Sequence, residues 1–411
     1  MLKSIFSIFL IVSVAFCAAA QDFSVVRGVV TEEGTGDPVP FANVIYPAGS
    51  TGTATNNNGT FIFKMDDLNE GDTLVISSMG YAPYVLLLGE IDDPLEIEVS
   101  LTPSVITLDE VVIRPPEAMS LLNSALAAIP DNYATDPVMM KGFYRETIKL
   151  DQSLISLSEA VIGIYKAPYN NNSAHDQMQL LKGRKNSDIE ESEVLDKMSI
   201  SGGLRVDFIK YGLHPIKPEA FKFYNYEVQE LFMSEGDTTY VIAFDQKDGV
   251  ELPLLKGKIY IDAPTMAFSG IEYGISPKGI KYANNYDRQQ KKDMKKAGFS
   301  IETVSADTKV NFVKKGDLWF LQSAISMFEG KISRKRKSDQ VIRYRADFVV
   351  TETDTENVEP IPQDKQMVTF GLDLSKQIGE NYDEDFWENY NYIIADQSIR
   401  SLSDSLLNKN Q

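Results

Sequence analysis

Long segments in which apolar and polar residues alternate constrain the fold of this chain more than any other feature. Over residues 304–312, every second side chain is apolar or a small alanine or threonine. Over residues 342–350, apolar side chains recur at every second position with Arg343, Arg345 and Asp347 between them. Successive side chains of a strand point to opposite faces, so this period predicts strands with one buried and one wet face. The pattern is typical of an antiparallel sheet.

The same part of the chain contains further strand-like segments and one amphipathic helix. Four more strands are predicted, at residues 141–150, 154–165, 239–244 and 257–261. The helix begins near Pro116 and ends at Pro130, and its apolar stripe consists of Ala118, Leu121, Leu122, Ala125, Leu126 and Ile129. We therefore predict a larger antiparallel, half-barrel-like sheet domain with a covering helix over residues 117–360, followed by a C-terminal helical tail over 361–411.

The first hundred residues are also rich in β-type segments, but turns interrupt them more often. Six strands are predicted, at residues 24–31, 41–46, 61–63, 73–77, 84–88 and 95–101. Short strands separated by Gly, Asp, Asn and Pro predict a β-sandwich. The stretch Asn56-Asn57-Asn58-Gly59 is interpreted as a tight turn, because Asn and Gly tolerate left-handed backbone. A calcium loop would need carboxylates at these positions.

Four sequence blocks in this region follow one another in a characteristic order. They read V-x-G-V-V, D-P-V-P-F-A-N-V, G-T-x-T-N-x-x-G-x-F and G-D-T-L-V-I-S-S-M-G-Y. Together they resemble the carboxypeptidase-regulatory-like domain, which implies a transthyretin/Ig-like sandwich of the kind found in exported Bacteroidota proteins. We place that sandwich at residues 21–103, with a linker over 104–116. The resemblance implies no peptidase activity, because neither His175 nor His214 has Glu at the third position after it.

A second resemblance concerns the larger domain. Residues 257–273 and 310–326 are similar to segments of the periplasmic lipoprotein-carrier superfamily, which implies a concave apolar sheet that shelters acyl chains. On this hypothesis the ligand face consists of Tyr260, Ile271, Tyr273, Phe312, Trp319 and Ile325. The alternative is a sheet that the helix at 116–129 and the loops close over its own core, and we favour it.

The N-terminal segment indicates export. Lys3 precedes an apolar run over residues 5–16, and an A-x-A pattern ends at Ala20, so a signal peptide over residues 1–20 is predicted, with cleavage before Gln21. Because the chain has one cysteine, which lies inside this segment, the mature protein would contain no disulfide. The expected location is periplasmic, outer-membrane-associated or secreted.

Charge and motifs restrict the function. A net charge of −19 disfavours nucleic-acid binding, which needs a basic surface. Two basic clusters lie at residues 291–296 and 334–337. They could bind lipid phosphates, or they could be solvated hairpin tips, and for each cluster taken alone we favour the hairpin tip. No residues are predicted for catalysis, a cofactor or a metal.

We therefore expect an exported, non-catalytic envelope protein that acts as an interaction module. Two alternatives stay open: a periplasmic lipid or lipoprotein carrier that uses a concave β-sheet, and a hydrolase with an unrecognised carboxylate site. The partner expected is an outer-membrane or other envelope protein, or a lipid. The oligomeric state does not follow from the sequence.

Overall fold

The fold is described from a computed structural model of the chain. It describes residues 24–65, 69, 71–90, 95–107, 117–171, 173–188, 206–234, 237–284, 288–335, 337–367, 378, 386, 387 and 389–410. The predicted signal peptide, with Ala20 and Gln21, and most of the predicted linker lie outside these residues. Both stay predictions.

The N-terminal region is a two-sheet sandwich. Its strands are β1 (Ser24–Glu32), β2 (Asn43–Tyr46), β3 (Thr51–Ala54), β4 (Thr60–Met65), β5 (Thr73–Ser77), β6 (Tyr84–Leu87) and β7 (Leu95–Leu101). One sheet has the order β4-β1-β7, and the other has the order β6-β5-β2-β3. Alternate residues of the strands, such as Phe61 and Phe63 of β4, are buried between the two sheets.

The Asn56-Asn57-Asn58-Gly59 stretch is the predicted turn, between β3 and β4. The Asn56 side-chain oxygen accepts hydrogen bonds from the backbone N–H groups of Asn58 at 2.9 Å and Thr60 at 3.1 Å. Gly59 adopts a φ of +73°. A Cβ there would lie 2.3 Å from the Val30 carbonyl oxygen, so only glycine fits.

We expect Asn56→Ala to lower the free energy of unfolding by about 1–3 kcal/mol. The Asn56 side chain is only 3% exposed, and its loss would leave two backbone donors without their acceptor. The neighbouring Asn58→Ala is the control, because the Asn58 side chain is exposed; it should change stability by less than about 0.5 kcal/mol. Urea titration of the three proteins measures both effects, and equal stabilities would contradict this account of the turn.

The larger region is a long antiparallel sheet, as the alternating segments predicted. Its strands are β8 (Val105–Thr107), β9 (Val138–Leu150), β10 (Ser153–Lys166), β11 (Gln177–Ser187), β12 (Tyr224–Ser234), β13 (Asp237–Gln246), β14 (Leu255–Asp262), β15 (Phe268–Ile275), β16 (Phe299–Lys315), β17 (Leu318–Arg334) and β18 (Gln340–Asp354). Their order is β8-β12-β13-β14-β15-β16-β17-β18-β9-β10-β11. The mainly β, half-barrel-like fold class is thereby confirmed. β3 of the sandwich also pairs with β18, so the sandwich adjoins this sheet directly.

The helices in the described part of the chain are short. They are α1 (Ala118–Ala127), α2 (Ile129–Asn132), α3 (Phe208–Tyr211), α4 (Ile280–Ala283), α5 (Arg288–Ala297) and α6 (Gln397–Asn410), with 3-10 turns at Leu88–Glu90, His214–Ile216 and Pro218–Phe223. None of these helices is long and apolar enough to span a membrane. The stripe of α1 packs on the sheet through Ala118, Leu121, Leu122 and Ala125.

Two sequence interpretations need correction. Pro130 does not end the helical region but lies in the first turn of α2. Backbone N–H groups in the first turn have no acceptor within the helix, so a proline, which lacks this N–H, costs no hydrogen bond there. The lysines at 291–296 do not form a bare hairpin tip, because they belong to helix α5 between β15 and β16. Lysine is a good helix former, and a solvated ten-residue segment can therefore be helical without an apolar stripe.

Candidate functional site

The two faces of the long sheet differ in what covers them. The inner face carries Ile271 and Phe312 and packs against α1 and α3 in the main hydrophobic core. Tyr133 and Phe208 contact the Phe312 ring edge-on, with ring centroids 5.7 and 5.6 Å apart. The outer face carries Ile325 and contacts the sandwich, because Phe41 and Ala54 share a small cluster with it.

The structure places the six residues of the predicted apolar ligand face on both faces of the sheet. Ile271, Phe312 and Trp319 are buried in the inner core, and Tyr273 packs beside them. Tyr260, whose neighbours Ile259 and Ile261 belong to the inner core, lies on the outer face and stacks on Phe232. Ile325 lies on the outer face as well. The six therefore do not form one surface, and ligand binding by them stays a prediction.

A row of mainly charged residues crosses the entire outer face. Each member lies directly opposite the next on the neighbouring strand, from β12 to β11. We call it the charged row, and its members are Glu227, Ala243, Lys258, Glu272, Lys309, Ile325, Asp347, Arg145, Glu159 and Arg184. Residues opposite each other on antiparallel strands have Cβ atoms about 5 Å apart. Charges of alternating sign therefore lie within ion-pairing reach along most of the sheet.

One half of the charged row is buried. Glu159 accepts hydrogen bonds from Arg145 Nε at 2.6 Å and Arg184 Nε at 2.7 Å, and each of the three residues is less than 9% exposed. Burial by itself raises the pKa of the Glu159 carboxyl group, but the two guanidinium groups outweigh burial and hold that pKa below its ordinary value. Asp347, also buried, pairs with Arg345 at 2.8 Å.

A C-terminal segment covers this buried half. We call residues 386, 387 and 389–396 the C-terminal strap. Arg145 Nη2 donates to the Ile393 carbonyl oxygen at 2.5 Å, and the Trp387 ring lies 5.3 Å from the Phe143 ring. The Asn391 side chain accepts from Lys64 N at 2.7 Å and donates to Lys64 O at 2.9 Å. The strap thus contains a turn, in which Tyr390 N donates to the Trp387 carbonyl oxygen, and is held by aromatic contacts and by hydrogen bonds between side chains and main-chain groups.

The other half of the charged row is open to solvent. It forms the floor of a trough with a volume of about 950 Å³ across β12–β17. Lys309 pairs with Glu272 at 2.9 Å, and both side chains are about one-third exposed. Met327, which is 45% exposed, lies two residues beyond Ile325 on the same strand face. The trough combines charged and apolar groups, and no pattern in the sequence predicted it.

A second buried cluster surrounds Lys166. Its ammonium group lies 2.7 Å from both Asp176 and Asp207, and the hydroxyl groups of Tyr169 and Tyr211 donate to these carboxylates. Burial lowers the pKa of Lys166, but Asp207 and Asp176 outweigh it and raise that pKa above its ordinary value. The ion pairs and tyrosine hydrogen bonds of this cluster join β10, its following loop and α3.

Within the described residues, no three His, Cys, Asp or Glu side chains converge in a way that would hold a metal ion. His214 lies against Tyr224, whose hydroxyl is 3.0 Å from Nδ1, and burial lowers the pKa of the imidazole. His175 lies in the loop between β10 and β11, on another part of the sheet. The two histidines are therefore not brought together.

Comparison with known proteins assigns the N-terminal sandwich. Residues 26–113 match the family model of the CarboxypepD_reg-like domain, which confirms the resemblance seen in the four sequence blocks. No curated protein matches the chain. The family match covers the sandwich from Val26 onward and continues through β8 to residue 113.

One solved structure similar to the chain is a putative outer membrane lipoprotein-sorting protein domain from Vibrio parahaemolyticus. The two sequences are 11% identical, the TM-score is 0.24, and the match covers 59% of this chain and 95% of that chain. A DUF1329 family protein from Desulfovibrio piger has 10% identity and a TM-score of 0.25, with 60% and 96% coverage. A membrane-associated protein of unknown function from Bacteroides fragilis has 12% identity and a TM-score of 0.16, with 80% and 98% coverage. At such scores these likenesses say nothing about function, which is inferred below from this chain's own residues.

Proposed function

We propose that this protein is a non-catalytic binding protein of the cell envelope whose trough holds an extended polypeptide segment of a partner protein. One observation carries the proposal: a single charged row runs under the C-terminal strap and continues, uncovered, along the trough. The strap shows how this kind of surface holds a peptide, through a carbonyl group bonded to a row arginine and aromatic side chains packed beside it.

The composition of the trough supports a peptide over an acyl chain. Lys258, Glu272 and Lys309 can bond the carbonyl and N–H groups of an extended backbone, and Ile325 and Met327 can contact its apolar side chains. A lipid tail would remove water from these partly exposed charged groups and offer them no hydrogen bond in return, which is costly. The proposal of a binding role also fits the buried ionisable clusters, in which the charged groups satisfy one another.

The location is part of the proposal. The N-terminal segment with its A-x-A pattern before Gln21 supports export, and the family of the sandwich is compatible with it. Peptide partners would then be segments of other envelope proteins that reach the same compartment.

Selection of peptides on the full chain tests this function. We expect displayed peptides of about ten residues, enough to cross the trough, to bind the wild type with micromolar affinity. The variant Lys258→Glu/Lys309→Glu makes every charged side chain in the open half of the row acidic and should weaken binding at least about tenfold. Lys314→Glu/Lys365→Glu is the matched control, because it changes the net charge equally at two exposed sites outside the trough.

Two outcomes would contradict the proposal. Selected peptides could bind the trough variant and the control equally well, which would place their site elsewhere. Alternatively, a fluorescent fatty acid could bind the wild type while no peptide is selected, and this result would favour the lipid-carrier alternative.

A further inference from the structure

The two basic clusters of this acidic protein lie together at one end of the long sheet. Helix α5 leads through Gly298 into Phe299, the first residue of β16, and Phe299 pairs with Arg334, the last residue of β17. The sequence 334–337, Arg-Lys-Arg-Lys, therefore begins beside the end of α5. We call the described residues of the segments 288–297 and 334–337 the basic tip.

The tip projects beyond the neighbouring strand. The last pair between β15 and β16 joins Gly274 to Asp307, so residues 299–306 of β16 extend further than β15 does. Eight residues of strand span roughly 25 Å. The basic groups thus lie beyond the end of β15, at the end of the sheet where β17 still pairs with β18 and where the turn at Asp151 bonds to Val341.

Four basic side chains of α5 face the same space. Arg288, Lys291, Lys292 and Lys295 recur at helical spacing and line one shallow depression. All four are exposed, and no carboxylate among the described residues forms an ion pair with them. Their charges are therefore available to an external anion.

The charge of the tip is opposite to that of the remaining chain. Its two segments contain nine basic residues and one acid, Asp293, which gives a net charge of +8. With −19 for the whole chain, the rest carries −19 − 8 = −27. A negatively charged surface would therefore attract the tip and repel the body, so the protein would meet it in one orientation.

We propose that the basic tip docks this protein onto an anionic lipid bilayer through the phosphates of the headgroups. Three features favour a bilayer over a soluble anion: the tip lies beyond the end of β15, its depression is shallow, and six of the nine basic residues in its two segments are lysines, which act as flexible point charges. Clusters of four to eight basic residues are typical of binding to anionic headgroups. Docking leaves the trough free, because the trough lies on the outer face across β12–β17.

Co-sedimentation of the full chain with vesicles tests the proposal. We expect binding to phosphatidylcholine vesicles that contain about 40% phosphatidylglycerol at about 50 mM salt, and loss of binding at about 500 mM salt. Lys291→Glu/Lys295→Glu should weaken binding at least about tenfold. The control Lys314→Glu/Lys365→Glu, with the same net charge, should stay within about twofold of the wild type. Lys314 lies at the opposite end of β16 from the tip, and Lys365 lies in a turn after β18, close to Met367, which bonds to Met178 of β11.

Four results would overturn the inference. The wild type could fail to bind anionic vesicles, or could bind neutral ones equally well. The tip variant and the control could lose binding to the same extent, which would show that net charge alone matters. Finally, a duplex DNA of the same charge density could bind with equal or higher affinity, which would make the tip a nucleic-acid site instead. Circular dichroism of each variant verifies that it is folded.

Discussion

Replacing Glu159 with leucine is expected to lower the free energy of unfolding by about 3–5 kcal/mol. The carboxylate lies between Arg145 and Arg184, and its removal would break the ion pairs that it forms with both buried guanidinium groups. Arg145 also holds the Ile393 carbonyl, so the C-terminal strap should loosen in the same variant. Urea unfolding followed by tryptophan fluorescence measures the loss, and protease digestion reports cleavage in the strap.

Glu227→Leu is the matched control for this variant. It removes a carboxylate from the same charged row at an exposed position, and should change stability by less than about 0.5 kcal/mol.

The stabilisation that Glu159 provides should also depend on pH. The pKa of Glu159 in the folded protein lies below its ordinary value of 4.5, so as the pH falls the unfolded chain binds the proton first. The stabilisation is therefore fully present at neutral pH and is lost as the pH falls below about 4.5. A Glu159→Leu protein as stable as the wild type at neutral pH would contradict the description of the buried half.

Ile271→Asp is expected to prevent cooperative folding of the long sheet, with a loss of about 4 kcal/mol or more. Ile271 is fully buried on the inner face, where an added carboxylate finds no partner in the described core. Met327→Asp is the control, because it introduces the same charge in the trough at a side chain that is 45% exposed, and it should fold normally. Thermal unfolding by circular dichroism distinguishes the two.

The same pair of variants decides between the two interpretations of the inner face. If that face held an acyl chain, wild-type protein would bind a fluorescent fatty acid, and Ile271→Asp would stay folded but lose binding. The closed core predicts no fatty-acid binding by the wild type and collapse of the Ile271→Asp protein. A stable Ile271→Asp variant that loses fatty-acid binding would show that the inner face is a ligand site.

The strands that sequence analysis predicted correctly are those with a strong local period. β16 and β18 alternate apolar and polar residues, and β9 and β10 are joined by a turn at Asp151-Gln152, where Asp151 has a positive φ. β3 was missed because Thr51-Gly52-Thr53-Ala54 has no bulky side chain, and its pairing partner on β18 lies some three hundred residues away. Local propensity contains no information about such a distant pairing.

The candidate site was harder to predict for two physical reasons. In β14, Ile259, Tyr260 and Ile261 are all apolar, so the sequence does not show which face Tyr260 occupies. The strap contacts, such as Arg145 with Ile393, join residues 248 positions apart. One signal was present: Glu159 is the lone charged residue among the apolar and small residues of β10 from Ser153 to Ile164, and a buried charge requires a partner.

Lysine footprinting with a bound peptide tests the central claim most directly. The full chain is acetylated with and without a saturating selected peptide, and each lysine is quantified by mass spectrometry. We predict that the peptide protects Lys258 and Lys309 in the trough at least about fivefold, while Lys314, Lys365 and the lysines of α5 react as before. Unchanged reactivity of Lys258 and Lys309 at saturation, or protection confined to other lysines, would contradict the proposal that the trough is the peptide-binding surface.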